Sequence, residues 1–431
     1  TCRAASAESG DMEKLTAVRG FKDILPEETG RWRQVEQTAH EVFKSFGFRE
    51  IRVPILEKTD LFVRGIGETT DIVEKEMYTF SDKGEESLTL RPEATASVVR
   101  AYLEHGLFHE SVSKLYTMGP MFRRERPQKG RFRQFHQIDV EHLGTEHPRI
   151  DAEIMLMLVH YLQRLGLQAL SLEINSLGCA VCRPDFKKAV VAFFAGREAG
   201  LCADCTRRLR TNPLRIFDCK TEACRQITAD APKLSDHLCA PCREHFDAVR
   251  KSLDIFALPY RINERMVRGL DYYCRTAFEI TTEHLGAQNA VAGGGRYDGL
   301  VRDLGGPDIP GIGFAIGMER LISLLPDQDD GPGRSLDLFV AAIGEKAQEV
   351  AYGICNRLRM RGLSVEMEIG GKSLKSQMKR ADRLGCRYTL ILGENELAQG
   401  SAGLRDMKSA AQSSVPLPGI EDTVTDHLRA R

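Results

Sequence analysis

The sequence has almost no net charge and no long apolar run, and each lack closes off a class of function. Across 431 residues, 60 lysines and arginines stand against 61 aspartates and glutamates, a formal charge of −1. That excludes a polybasic coat protein, though not a nucleic-acid binder that keeps its basic residues in one patch. The apolar runs fall far short of the ~20 residues a membrane-spanning helix needs, so no membrane partner is expected. Residues 1–11 (TCRAASAESGD) lack the apolar core of a secretory signal, and Met12 reads like a natural start. Those eleven residues are expected to be disordered upstream sequence, and the compartment to be the cytoplasm.

Cysteine, by contrast, is abundant and unevenly spread: eight of the twelve lie between 179 and 242. In a long chain without a signal this is no secreted disulfide scaffold. The eight fall into close pairs: Cys179 with Cys182, Cys202 with Cys205, Cys219 with Cys224, and Cys239 with Cys242. Such pairs suit two tetrahedral four-cysteine zinc sites, each joining two of them. Closed sites of that kind leave no position for substrate, so the expected role is structural. Spacing leaves sequential and interleaved pairing both open. The competing reading is that these are small buried hydrophobes, as free cysteine often is.

The rest of the chain reads as α+β. Trp32, Val35, Ala39, Val42, Phe43 and Phe46 recur at helical spacing over 29–46. Strands are expected at 48–56, with Pro54 marking an edge or special position, and at 86–90. Pro92 is read as a helix entry. Segments 113–125 and 135–144 alternate like an antiparallel pair joined by a basic connection, and a helix is expected at 150–165. Further strands are expected at 275–281 and 289–294, and a strand running into a helix at 311–325. The division that follows is 12–174 with 261–325 as a core, 175–260 as a cysteine-rich helical insertion, 326–335 as a linker, and 336–431 as a small α/β domain of βαβαβ order.

Four segments carry a family resemblance in order. GPMFRRERPQKGRFRQFHQIDVEHLG (119–144) resembles motif 2 of class II aminoacyl-tRNA synthetases, and GIGFAIGMERL (311–321) resembles motif 3. RGLDYYCRTAFEI (268–280) and AVAGGGRYDGL (290–300) resemble the two signatures of histidyl-tRNA synthetases. RGFKDILPEE near the start fits as well. The resemblance implies a class II antiparallel sheet core with a C-terminal anticodon-binding domain. It implies activation of L-histidine with ATP and Mg²⁺ and transfer to tRNA(His). It also implies a homodimer, with Pro54 in motif 1. Ala94 stands where the family more often has glycine, and many members lack the paired cysteines.

The same resemblance assigns residues. Arg123 would contact the α-phosphate of ATP, and Arg131 and Arg320 the γ-phosphate; Arg is suited to this because its planar fork matches phosphate oxygens. Arg268 would be the catalytic arginine, acting with Arg123. Glu93, Ala94, Thr95 and Gln137 would hold the α-ammonium end of histidine. Glu141 and Tyr273 would read the imidazole, with Tyr272 lining the pocket. A neutral imidazole offers one donor and one acceptor, which a phenol and a carboxylate can satisfy. In the C-terminal domain Lys372, Lys375, Lys379, Arg380 and Arg383 form a basic set suited to RNA. The alternative function is a catalytically inactive regulatory paralogue of histidine biosynthesis. That reading is disfavoured by the four arginines and by the extra domain.

Overall fold

The computed structural model describes residues 15–68, 70–110, 112–126, 130–283, 289–326 and 336–429. The stretch 1–11, Lys129 of the basic connection, and all of the expected linker except Pro326 lie outside them. The described residues fall into two compact units, one of 15–24 and 31–326, the other of 25–30 and 336–429. Among them, no helix is long and apolar enough to cross a membrane.

An eight-stranded sheet organises the first unit. In spatial order its strands are Arg49–Glu50, Lys114–Phe122, Gln134–Leu143, Gly311–Gly317, Ala290–Arg296, Cys274–Thr281, Ser171–Ser176 and Arg261–Ile262. The six central strands are antiparallel, and the short strand on each edge is parallel to its neighbour. Alternation along each strand then separates two faces. Ile138, Val140, Phe278, Ile280, Phe314 and Ile316 enter one apolar core. It is closed by Val35, Ala39, Val42 and Phe43 of the helix Pro26–Ser45 and by Ile154, Met155, Leu158 and Tyr161 of the helix Pro148–Arg164. Each large side chain fully buried here contributes roughly 1.5–3 kcal/mol. That face supports the sheet and leaves the opposite face free to be polar.

On the opposite face the register aligns two rows across the strands: Glu279, Gly293, Ala315, Asp139, Thr117, and Ala277, Gly295, Gly313, Glu141, Leu115. Small residues in the middle of each row leave a trough with carboxylates beside it.

Two sequence expectations change in detail. The strand expected at 48–56 is broken: Arg49–Glu50 joins the large sheet, while Leu56–Lys58 joins a separate three-stranded sheet with Ser87–Leu90 and Tyr78–Ser81. Pro54 has no N–H to continue a ladder. The chain changes sheets there, with Arg91 Nη1 donating to the Val53 carbonyl at 3.0 Å. Pro92 is not a helix entry either. The helix begins at Thr95, and the Pro92 carbonyl instead accepts from Arg123 Nε at 2.8 Å.

The cysteine-rich segment is helical, with helices Arg183–Phe194, Ala203–Thr211, Glu222–Ile227 and Ala240–Ile255. The last packs back on the core, placing His245 Nε2 2.9 Å from Asp151 Oδ2. In the second unit the parallel strands Val365–Met367, Leu338–Ala342 and Tyr388–Leu392 carry the expected βαβαβ order. Two antiparallel strands, Ser401–Asp406 and Gln412–Pro416, extend it. Lys375, Lys379 and Arg383 are exposed on or at the helix Leu374–Arg383. Arg380 pairs with Glu368 at 2.7 Å and Glu366 at 3.2 Å, and Lys372 lies 3.5 Å from Glu368, so part of the basic set is offset.

Candidate active site

The helix Thr95–Glu104 starts at the polar face, and its entry is built by Glu93. The buried Glu93 carboxylate accepts from the N–H groups of Thr95 and Ala96, both at 2.9 Å, the favoured place for an anion at a helix N-terminus. The Tyr272 hydroxyl donates to the same carboxylate at 3.4 Å. Ala94, fully buried, has only backbone polarity to offer. Burial raises the Glu93 carboxyl above its usual range, against the pull of those N–H groups.

Glu141 lies on the neighbouring strand, buried, and accepts from the Tyr297 hydroxyl. Burial pushes its carboxyl well above the ordinary range, and the Tyr297 bond only partly offsets this. Gly313 makes its place: a β-carbon there would stand 2.0 Å from Glu141 Oε2. Gln137 and Asp139 share the face, and Gln137 Oε1 and Asp139 Oδ2 are buried without a hydrogen-bond partner. Asp139 is pushed up to about 8 by burial and by the Glu93 charge, against Arg91 and Arg123. Tyr272, Tyr273 and Tyr297 form one wall, with ring centroids 4.7 and 5.7 Å apart from Tyr272 to the other two.

Arg268 is held by Glu279 Oε1 at 2.5 Å and lies 5.4 Å from the Tyr273 ring centroid. Gly293 leaves room for it, since a β-carbon would meet its guanidinium at 2.2 Å. The glycine run thus belongs to a strand, and at Gly293 its close approach is first to Arg268. Arg296, at the end of the run, faces away. It is fully buried against Asp151 at 3.1 Å and Asp298 at 2.8 Å.

Arg123 stacks 5.2 Å from the Phe135 ring centroid, and Arg131 pairs with Glu125 at 2.7 Å. Arg320 donates to the Ala290 carbonyl at 3.1 Å. Its pKa is lowered by burial and then by the charge of Arg131, so these two cations are neighbours. A polyanion between them would relieve that repulsion. The charge of Arg123 acts on Glu93 and Asp139, and Arg123 and Arg131 lie 3.9 and 2.7 Å from Glu125, which links these arginines to the carboxyl group of residues. Sequence reasoning missed Tyr297 and Glu279 as neighbours of those groups, whereas period two already puts Asp139 on one strand face with Gln137 and Glu141. Tyr297 had a visible signal in its place directly after GGGR.

The eight paired cysteines form two clusters, Cys179, Cys182, Cys239 and Cys242, and Cys202, Cys205, Cys219 and Cys224. Within each, all sulfurs lie within 4.8 Å of one another. The arrangement is nested, first pair with fourth and second with third, and is neither of the two pairings left open by spacing. The Cys179–Cys182, Cys179–Cys239 and Cys202–Cys219 separations are 3.7, 3.8 and 3.8 Å. A tetrahedral site with Zn–S near 2.3 Å has edges of about 3.8 Å.

The fold and the polar face together define a class II aminoacyl-tRNA synthetase. Residues 20–321 match the family model described as histidyl-tRNA synthetase, and residues 337–427 match an anticodon binding domain. A histidine–tRNA ligase of Geobacter sulfurreducens is 57% identical over 94% of this chain and 97% of its own length. The crystal structure of apo S. aureus histidyl-tRNA synthetase matches with a TM-score of 0.80 and 36% identity, over 95% of this chain and all of that one. A Bacillus halodurans structure titled as an ATP phosphoribosyltransferase regulatory subunit/histidyl-tRNA synthetase matches at TM-score 0.65 and 17% identity, over 89% of this chain and all of that one, a likeness of fold alone. The chain belongs to the histidyl-tRNA synthetase family. Its activity is ATP-dependent ligation of L-histidine to tRNA(His), rather than that of an inactive regulatory paralogue.

Proposed function

We propose that the polar face divides its labour as follows. Glu93, Thr95, Gln137 and the backbone at Ala94 take the α-ammonium group of histidine; Glu141, Tyr272 and Tyr273 take the side chain. Arg123 steadies the α-phosphate, and Arg131 and Arg320 the γ-phosphate. Arg268 stabilises the charge that develops as the carboxylate attacks the α-phosphorus in line and pyrophosphate leaves. A fixed guanidinium in a site closed to water needs no reorganisation at that moment. The observation that carries this reading is that the buried acceptors of Gln137 and Asp139 lack a partner while the cations Arg131 and Arg320 lie close enough to repel each other. One end calls for a cation and donor, the other for a polyphosphate.

Mg²⁺ accompanies ATP in this family and would neutralise phosphate charge as pyrophosphate departs. Glu125 and Glu76 would hold it. They are close enough for the charge of Glu125 to add to burial in raising Glu76, and Mg²⁺ takes one or two carboxylates plus phosphate oxygens. The two cysteine clusters suit structural zinc by ligand type and sulfur spacing. The further reading is a cytoplasmic homodimer with Pro54 in its interface, the core 12–174 and 261–325 interrupted by 175–260, and a domain 336–431 that reads the anticodon through Lys375, Lys379 and Arg383. Histidine-dependent ATP–pyrophosphate exchange tests the division of roles. Arg268→Ala should lower kcat far more than it raises the KM for ATP. Near-normal turnover in that variant would remove Arg268 from the chemistry.

A further inference from the structure

Two arginines of the cysteine-rich segment reach into the loop that carries Arg268 and Tyr273. Arg183, next to Cys182, donates from Nη2 to the Tyr273 carbonyl and from Nε to the Leu177 carbonyl, the latter at 3.1 Å. Arg215, four residues before Cys219, donates from Nη1 to the Arg268 carbonyl at 3.1 Å. Its Nη2 lies 3.4 Å from Asp71 Oδ2. Both arginines are largely withdrawn from solvent, with the Arg215 side chain 19% exposed.

The loop they reach has little regular structure between the strands Arg261–Ile262 and Cys274–Thr281. Its first half is tied by the Asn263 N–H on the Ile174 carbonyl at 2.9 Å, Lys233 on Glu264 at 2.5 Å and Asn175 Nδ2 on the Met266 carbonyl at 3.0 Å. From Arg268 to Tyr273 the other ties include the Asp271 N–H on the Ile66 carbonyl at 3.2 Å and the side-chain bonds of Arg268 to Glu279, Asn212 to Asp271 and Tyr272 to Glu93. The arginines fasten the main chain at Arg268 and at Tyr273 themselves. Each also sits where a cysteine cluster fixes the backbone. Cys182 accepts from the Cys239 N–H at 3.1 Å just before the helix that begins at Arg183. Arg215 lies in the short turn Pro213–Asp218 that ends at Cys219, 3.8 Å sulfur to sulfur from Cys202.

We propose that Arg183 and Arg215 are positioning residues for histidine activation. One hangs from each cysteine cluster, and together they hold the main chain of the Arg268–Tyr273 loop against the sheet. The inference rests on the reading of Arg268 and Tyr273 given above. A displacement of about 1 Å in a reacting group can cost on the order of 100-fold in rate, so a brace of this kind is felt at the chemical step.

The test is steady-state pyrophosphate exchange on the full-length protein. Arg215→Ala should lower kcat about 10- to 100-fold with the KM for ATP within about twofold. Arg215→Lys, which keeps an N–H donor, should recover most of that loss. Arg207→Ala is the control. Arg207 belongs to the same segment and pairs with Asp71 and Glu74, and its removal should leave kcat within about twofold. Arg183→Ala should lower kcat in the same way, and Arg183→Lys should recover most of that loss. Parental kcat in both Arg183→Ala and Arg183→Gln, the latter serving should the alanine variant not fold, would remove Arg183 from the brace. An Arg215→Ala enzyme with parental kcat overturns the proposal, as does an Arg207→Ala enzyme equally impaired. Arg268→Ala run beside them separates the two readings. If it retains turnover, the role of Arg268 falls. If it is inactive while Arg215→Ala is not, only the brace falls.

Discussion

A methyl group added at Gly313 would sit 2.0 Å from Glu141 Oε2 and 2.3 Å from the Val140 carbonyl. Neither neighbour can retreat, one being backbone and the other buried under Tyr297. Gly313→Ala is therefore expected to cost about 1–3 kcal/mol of stability by overpacking and to abolish high-affinity histidine binding. Urea unfolding and pyrophosphate exchange check the two effects, and a variant with parental KM for histidine would refute the placement of Glu141. Glu141→Gln keeps the shape and loses the charge. It should raise the KM for histidine about 10- to 100-fold, the range of a hydrogen bond to a charged group, and spare that for ATP. Asp139 adds a pH dependence. Its carboxyl is raised from 3.8 to about 8, so the folded chain keeps a proton that the unfolded chain loses across that window. Stability from this group is thus present below pH ~4 and declines as pH rises toward 8, by up to about 1.4 kcal/mol per unit. Asp139→Asn should flatten the decline, seen in urea midpoints at pH 5.5 and 7.5. None of these neighbours was legible from residue type alone, because period two puts Asp139 on the right face without saying what stands opposite.

Among the secondary-structure elements, those with long, strongly periodic patterns were legible. The helix Pro26–Ser45 and the paired strands Lys114–Phe122 and Gln134–Leu143 lie where alternation and helical spacing put them. The stretch 48–56 reads as one strand because its residues favour extended backbone. The break at Pro54 depends on a second sheet that local pattern does not reveal. The cysteine pairs were equally plain and their partnership was not. Loop-closure cost grows only slowly with loop length, so nested, sequential and interleaved clusters differ too little for spacing to choose. Zinc in both clusters predicts two ions per chain by elemental analysis of protein purified without chelator. Cys202→Ser with Cys205→Ser should leave one, held by Cys179, Cys182, Cys239 and Cys242. Two ions in that double variant, or none in the parent, would refute the assignment.

For the whole molecule, the division of the sheet into an apolar and a polar face sets what binding does to stability. The apolar face holds the first unit together without the substrate, while the polar face gathers Glu93, Asp139 and Glu141, three buried carboxyls all raised by burial. Histidine at 100 times its Kd should therefore stabilise the protein by about 2.7 kcal/mol, read as a rise in Tm. An unchanged Tm under conditions where exchange is saturated would contradict a preformed pocket. With its carboxyl raised to about 8, Asp139 also makes the empty site hold a proton at neutral pH. A docked ammonium group favours the charged form, so that proton leaves when histidine arrives. Calorimetry would then find a binding heat that changes with the ionisation enthalpy of the buffer, and the slope would count the protons released.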